Sequence, residues 1–230
     1  MLEYPIKGGT QDFSGISFAD GNWTTLFVGL SILLMTLNVV VYRRHFVLSL
    51  KAIYSTRSFS QLSKEGKIFE EGTFMMALPA VVITFGLAVV QLSGHFLPQL
   101  SLKWSFPEQV LLVAAVFFAL YFLKLIINYI FFSLFDVPES RYLYNLYDYS
   151  LLLSLALTLL VAATVAQYAR FYFIYYLFFV EFFMLFLLKV YHFFLLKPKK
   201  LGLFYFFVYF CTLEILPYLV IVKLFFTLGK

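Results

Sequence analysis

Lys124, Glu181 and Glu214 are ionisable side chains at depth in stretches that are otherwise largely apolar. In hydrocarbon such a group costs several kcal/mol unless it is paired, neutral or hydrated, so each marks a working site or an internal strut. Two chemistries fit. A proton relay would use Glu181 and Glu214 as acids that keep their protons, because an apolar surrounding disfavours the charged carboxylate. An ionic strut would instead pair Lys124 with one of them. Asn128 lies one helical turn from Lys124 and can join either arrangement. Pro217 follows Glu214 by three residues; proline obstructs the carbonyl four positions back, at Leu213. A kink beside a buried acid occurs in mobile transporter helices and in static ones. Asp148 falls near the beginning of its apolar stretch and is expected to be solvated or to cap a helix.

Other chemistry finds little support. The three histidines, His45, His95 and His192, are far apart in the chain and none is paired at helical spacing. HExxH, CxxC, phosphate-loop and nucleophile-elbow patterns are absent from the sequence. No metal or cofactor is expected, and catalysis is not. A lipid-directed enzyme would need His45, Arg141, Asp148 and His192 to converge at one membrane interface.

The elements that must carry these residues are set by composition. Of 230 residues, 63% are hydrophobic and 13% charged, with a mean hydropathy of +0.91. A soluble domain is about half apolar and a quarter charged, so the bilayer must be the solvent for most of this chain. Its partners are therefore lipid and other membrane proteins or further copies of itself, and the net charge of +5 does not point to nucleic acid. The chain has 31 Phe and 17 Tyr, many of the latter near the ends of apolar runs, where an amphipathic ring suits the headgroup region. A single cysteine, Cys211, leaves redox compartment unreadable. Residues 1–21 carry acids and glycines before any apolar run and form a short polar segment, not a cleavable signal.

A span needs about 20 residues, and six stretches qualify: Trp23–Tyr42, Thr73–Leu97, Val110–Leu134, Tyr147–Gln167, Phe171–Lys189 and Leu201–Leu228. These runs are continuous rather than alternating, so the fold class is all-α, a polytopic transmembrane bundle of about six helices spanning residues 22–230. Tyr168, Ala169 and Arg170 alone separate the fourth and fifth, which predicts a tight helical hairpin. Eleven Lys and Arg fall on the side of connections 43–72, 135–146 and 190–200, against four on the other side. The positive-inside rule then places both termini outside the cytoplasm.

The segment 43–72 is basic and partly amphipathic. Phe46, Val47, Leu50, Ile53 and Tyr54 alternate with Arg43, Arg44, Lys51 and Arg57 at helical spacing. Two readings fit: a helix lying in the interface with residues 43–57 facing anionic lipid headgroups, or an extension of the first span leading into a polar loop. In the fourth stretch Ser150, Ser154, Thr158, Ala162 and Ala166 recur every four residues. Small residues let membrane helices approach closely, so this helix is expected at the centre, its row serving packing or, alternatively, a pore wall.

The run Cys211-Thr-Leu-Glu-Ile-Leu-Pro217, ending an aromatic stretch from Phe204, resembles the closing signature of a bacterial membrane family catalogued as domain of unknown function 4271. The resemblance covers roughly residues 25–228. It implies an inner-membrane location and no activity, and it draws attention to Glu214 and Pro217. Three functions remain in view: a noncatalytic membrane subunit or assembly factor for envelope proteins, a small transporter or proton-coupled channel using Lys124, Glu181 and Glu214, and a lipid enzyme.

Overall fold

Long apolar runs close their backbone hydrogen bonds internally, and helices are the result wherever the chain is described. The computed structural model describes residues 18–65, 72–96, 105–135, 138–169 and 174–195. These form α1 (Phe18–Val41), α2 (Arg43–Ala52), α3 (Thr56–Glu65), α4 (Thr73–Phe96), α5 (Phe106–Leu134), α6 (Pro138–Ala169) and α7 (Ile174–Leu195), with no strand among the described residues. Four helices are long and apolar enough to cross a bilayer: Asn22–Val41, Thr73–Ser93, Phe106–Leu134 and Arg141–Ala169. The fifth expected span coincides with α7, whose described apolar segment, Phe183–His192, is shorter than a full crossing. The sixth, Leu201–Leu228, with Cys211, Glu214 and Pro217, lies outside the described residues, as do residues 1–17. A count of six is therefore not established.

The helices are layered around α4 and α6. Helix α4 packs on α1, α5 and α6, and α6 also touches α1, α2, α3, α5 and α7. Of the membrane window of α6, 67% is buried against protein, compared with 17% for α5, so α6 is central and α5 peripheral. Close approach of α4 to α5 depends on Gly86: a Cβ there would stand 2.8 Å from the Val110 carbonyl oxygen and 3.1 Å from the Ala114 Cβ. Beside it, Phe85 and Phe117 stack at 4.5 Å between ring centroids.

The connection after α1 is two further helices, not a straight extension leading into a polar loop. Tyr42 leaves helical geometry at φ −121°, ψ 39°, so α2 does not continue α1 as a straight extension. The next element is a second helix, α3, instead of a polar loop. The buried side chains of the pair, Phe46, Ala52, Ile53, Phe59 and Leu62, join a core that includes Leu146, Tyr147 and Tyr149 of α6. Phe46 and Ile53 of the apolar face thus meet protein, whereas Val47 and Tyr54 are exposed, as are Arg43, Arg44, Lys51 and Arg57. Two contacts tie the end of α1 to the beginning of α4. The Asn38 amide donates to the Thr73 carbonyl at 2.9 Å in a buried position. Gly72 turns the chain with φ +77°, a conformation glycine adopts without steric cost, and a Cβ there would press on the Tyr42 hydroxyl at 2.9 Å.

Candidate functional site

Helix α6 begins at Pro138, nine residues before the apolar stretch that marks it in the sequence. Its 32 residues extend about 48 Å at 1.5 Å per residue, more than a bilayer core. Asp148 consequently lies ten residues inside the helix and is 5% exposed, which corrects the expectation of a solvated or capping aspartate. Helices α5 and α6 run antiparallel through a connection of three residues, and that register sets Lys124 opposite Asp148. The Lys124 ammonium donates to Asp148 Oδ2 at 2.9 Å. From the other side Lys189 of α7 donates to Asp148 Oδ1 at 2.6 Å. Each carboxylate oxygen therefore receives one charge-assisted hydrogen bond, the stronger class of such bonds. All three side chains are largely shielded, with exposures of 18% for Lys124, 11% for Lys189 and 7% for Asp148.

One turn further along the same pair of helices a second rung forms. The fully buried Asn128 donates to Asn145 Oδ1 at 2.8 Å. Beyond it Phe132 and Tyr144 sit 6.0 Å apart, and outside these the Arg141 guanidinium lies 4.7 Å over the Tyr129 ring. Aromatic groups also surround the network on the α7 side: His192 stacks on Tyr147 at 4.4 Å, and Phe59 of α3 meets the edge of Tyr147 at 5.9 Å. The hydroxyls of Tyr121 and Tyr147 are buried without a hydrogen-bond partner among the described residues.

Glu181 lies elsewhere. The antiparallel register of α6 and α7 that pairs Asp148 with Lys189 and Tyr147 with His192 sets Glu181 against Thr158. The two line a half-open cleft of about 220 Å³ with Val161, Ala162, Ile174 and Leu177. Glu181 is half-buried, and no described cation pairs with it. The strut expected between Lys124 and an acid therefore forms, among the described residues, with Asp148 and not with Glu181; Glu214 lies outside them.

The small-residue row does not keep one face. At 3.6 residues per turn, a step of four advances about 40° round the helix, so the row winds. Ser150 is fully buried and donates back to the Leu146 carbonyl at 3.0 Å. Ser154 is half-buried. Thr158 and Ala162 border the Glu181 cleft, and Ala162 and Ala166 pack with Leu92 and Ile174.

Asp148, Lys189 and Asn145 are the functional candidates that sequence reasoning missed as partners. The signal was geometric: Lys124 and Asp148 are equidistant along the chain from residue 136, and Asp148 and Lys189 nearly so from Ala169. Of the residues a lipid enzyme would need, Asp148 is held by two lysines and His192 by aromatic rings, and no group of three or more metal-ligating side chains occurs among the described residues. No curated protein and no solved structure matches the chain. The chain matches the family described as Domain of unknown function (DUF4271) over residues 24–225, and it belongs to that family.

Proposed function

We propose that this chain is a noncatalytic, multi-spanning subunit or assembly factor of a bacterial inner membrane, with both termini outside the cytoplasm. The observation that carries the reading is the Lys124–Asp148–Lys189 network. One carboxylate binds cations from two other helices and so fixes the mutual register of α5, α6 and α7. Groups that conduct must exchange partners, whereas this carboxylate has both oxygens occupied by short bonds in a packed core. The network serves as a strut inside a scaffold. Helix α5, with 17% of its membrane window buried, supplies area for lipid, another membrane protein or a second copy. The exposed Arg43, Arg44, Lys51 and Arg57 suit anionic headgroups on the cytoplasmic side.

Purification from the native membrane in mild detergent, with mass spectrometry of the product, tests the subunit reading. A stoichiometric membrane partner is expected; a chain that purifies alone counts against it. Cysteine labelling at Ser63 and Ser101 in a Cys211→Ser background tests the orientation. An impermeant reagent added outside should reach Ser101 only, and the reverse pattern would invert the topology.

A second reading, proton-coupled transport, is favoured by one observation: Glu181 lies in the cleft between α6 and α7 without a counter-ion among the described residues. Its sign would be pH-driven flux in proteoliposomes that is lost in Glu181→Gln.

A further inference from the structure

The cleft holding Glu181 is half-open and lies beside a helix long and apolar enough to cross a bilayer. Thr158 lies near the midpoint of the window Arg141–Ala169, and of the cleft's lining residues Val161 and Leu177 are 59% and 57% exposed. Apart from Thr158 and Glu181, its walls are apolar. No cation among the described residues lies beside Glu181, and a carboxylate at such a depth is costly to charge without one.

Hydrogen-bond direction points the same way. The Thr158 hydroxyl oxygen lies 3.3 Å from the Ser154 carbonyl and 3.1 Å from the Leu155 carbonyl. A carbonyl only accepts, so the hydroxyl proton is directed to the backbone of α6. What Thr158 offers across the cleft is its lone pairs. A carboxylate cannot donate to them, but a carboxylic acid can. With the Thr158 proton on the backbone, the pair is matched when Glu181 keeps its own proton.

We propose that Glu181 is a proton-holding site entered from the bilayer, and that it is a modification site for membrane-soluble carbodiimides. The acid proton passes to one nitrogen of the reagent while the carboxyl oxygen bonds to the central carbon, converting one C=N bond to C–N. The resulting O-acylisourea then shifts its acyl group from oxygen to nitrogen, giving a stable N-acylurea. Nothing leaves, and nothing is oxidised or reduced. Because the acid supplies the first proton, ionised carboxylates react poorly and Asp148, already bound by two lysines, is spared. This deepens the proton-coupled reading by assigning the group that carries the proton, yet it does not depend on flux: labelling without transport would keep the site and remove that reading.

The test is labelling of the full chain in liposomes at neutral pH with dicyclohexylcarbodiimide, in parallel with a charged, water-soluble carbodiimide, read out by peptide mass spectrometry. The expected result is an adduct on Glu181 from the apolar reagent, at least tenfold less from the charged one, and none on Asp148. Labelling should fall as pH is raised. Glu181→Gln should lose the adduct while eluting and melting like the parent chain. Equal labelling by both reagents would mean a water-filled cleft and would overturn the proposal. So would an unlabelled Glu181 in a preparation whose Glu108, exposed at the beginning of α5, reacts with the charged reagent.

Discussion

Asp148 and Glu181 are two acids on adjacent helices of one bundle, treated in opposite ways. Asp148 is bound by two ammonium groups; Glu181 has a threonine and a half-open cleft whose other walls are apolar. Along α6 the two sites are separated by the ten residues from Asp148 to Thr158, about 15 Å. The difference teaches that depth alone does not decide how a carboxyl behaves in a membrane. Partners decide it: cations make the charged form tenable, and an acceptor such as Thr158 suits the neutral form. One acid then belongs to the frame of the bundle, and the other is available to gain or lose a proton.

The comparison can be broken from either end. Asp148→Ala should have the largest effect, because it leaves two buried lysines without their shared anion; breaking a buried pair by removing one partner costs about 3–5 kcal/mol. Thermal or denaturant unfolding in detergent measures it, and a variant as stable as the parent would remove the strut. Lys189→Met should cost less, about 1–3 kcal/mol, since Lys124 still holds one carboxylate oxygen. Its effect should fail to add to that of Asp148→Asn, because residues in one network couple, and a double-mutant cycle shows this directly. Asn128→Ala removes the second rung, where interhelical hydrogen bonds in membranes average about 0.6 kcal/mol. Glu181→Gln should be the mildest, within about 0.5 kcal/mol, because the amide N–H donates to Thr158 in place of the acid O–H and no ion pair is lost. A loss as large as that of Asp148→Ala would mean that Glu181 is also a strut.

Much of the frame was legible from hydropathy. The expected Thr73–Leu97 and α4 at Thr73–Phe96 differ by one residue, and the third stretch shares Leu134 with α5 as its end. The beginning of α6 was not legible, because Pro138–Leu146 carries Glu139, Arg141 and Asn145 and reads as a connection. Helical backbone continues through it all the same, since helix formation needs no apolar side chains outside the hydrocarbon. That single boundary concealed the role of Asp148. The second helix, α3, was not legible, and the spacing of Phe46 and Ile53 reveals an apolar face but not how much of it protein covers. Lys124 and Glu181 were visible as anomalies in apolar runs. Their separation into two sites was not visible, because it depends on the register of two hairpins.

The most direct test of the central contrast is infrared spectroscopy of the carboxyl stretch in lipid at neutral pH, comparing the parent chain with Glu181→Gln and Asp148→Asn. Loss of a protonated-carboxyl band in Glu181→Gln, with the same band retained in Asp148→Asn, is the predicted result. A band lost in Asp148→Asn and unchanged in Glu181→Gln would contradict it, making Asp148 the neutral acid and Glu181 the charged one.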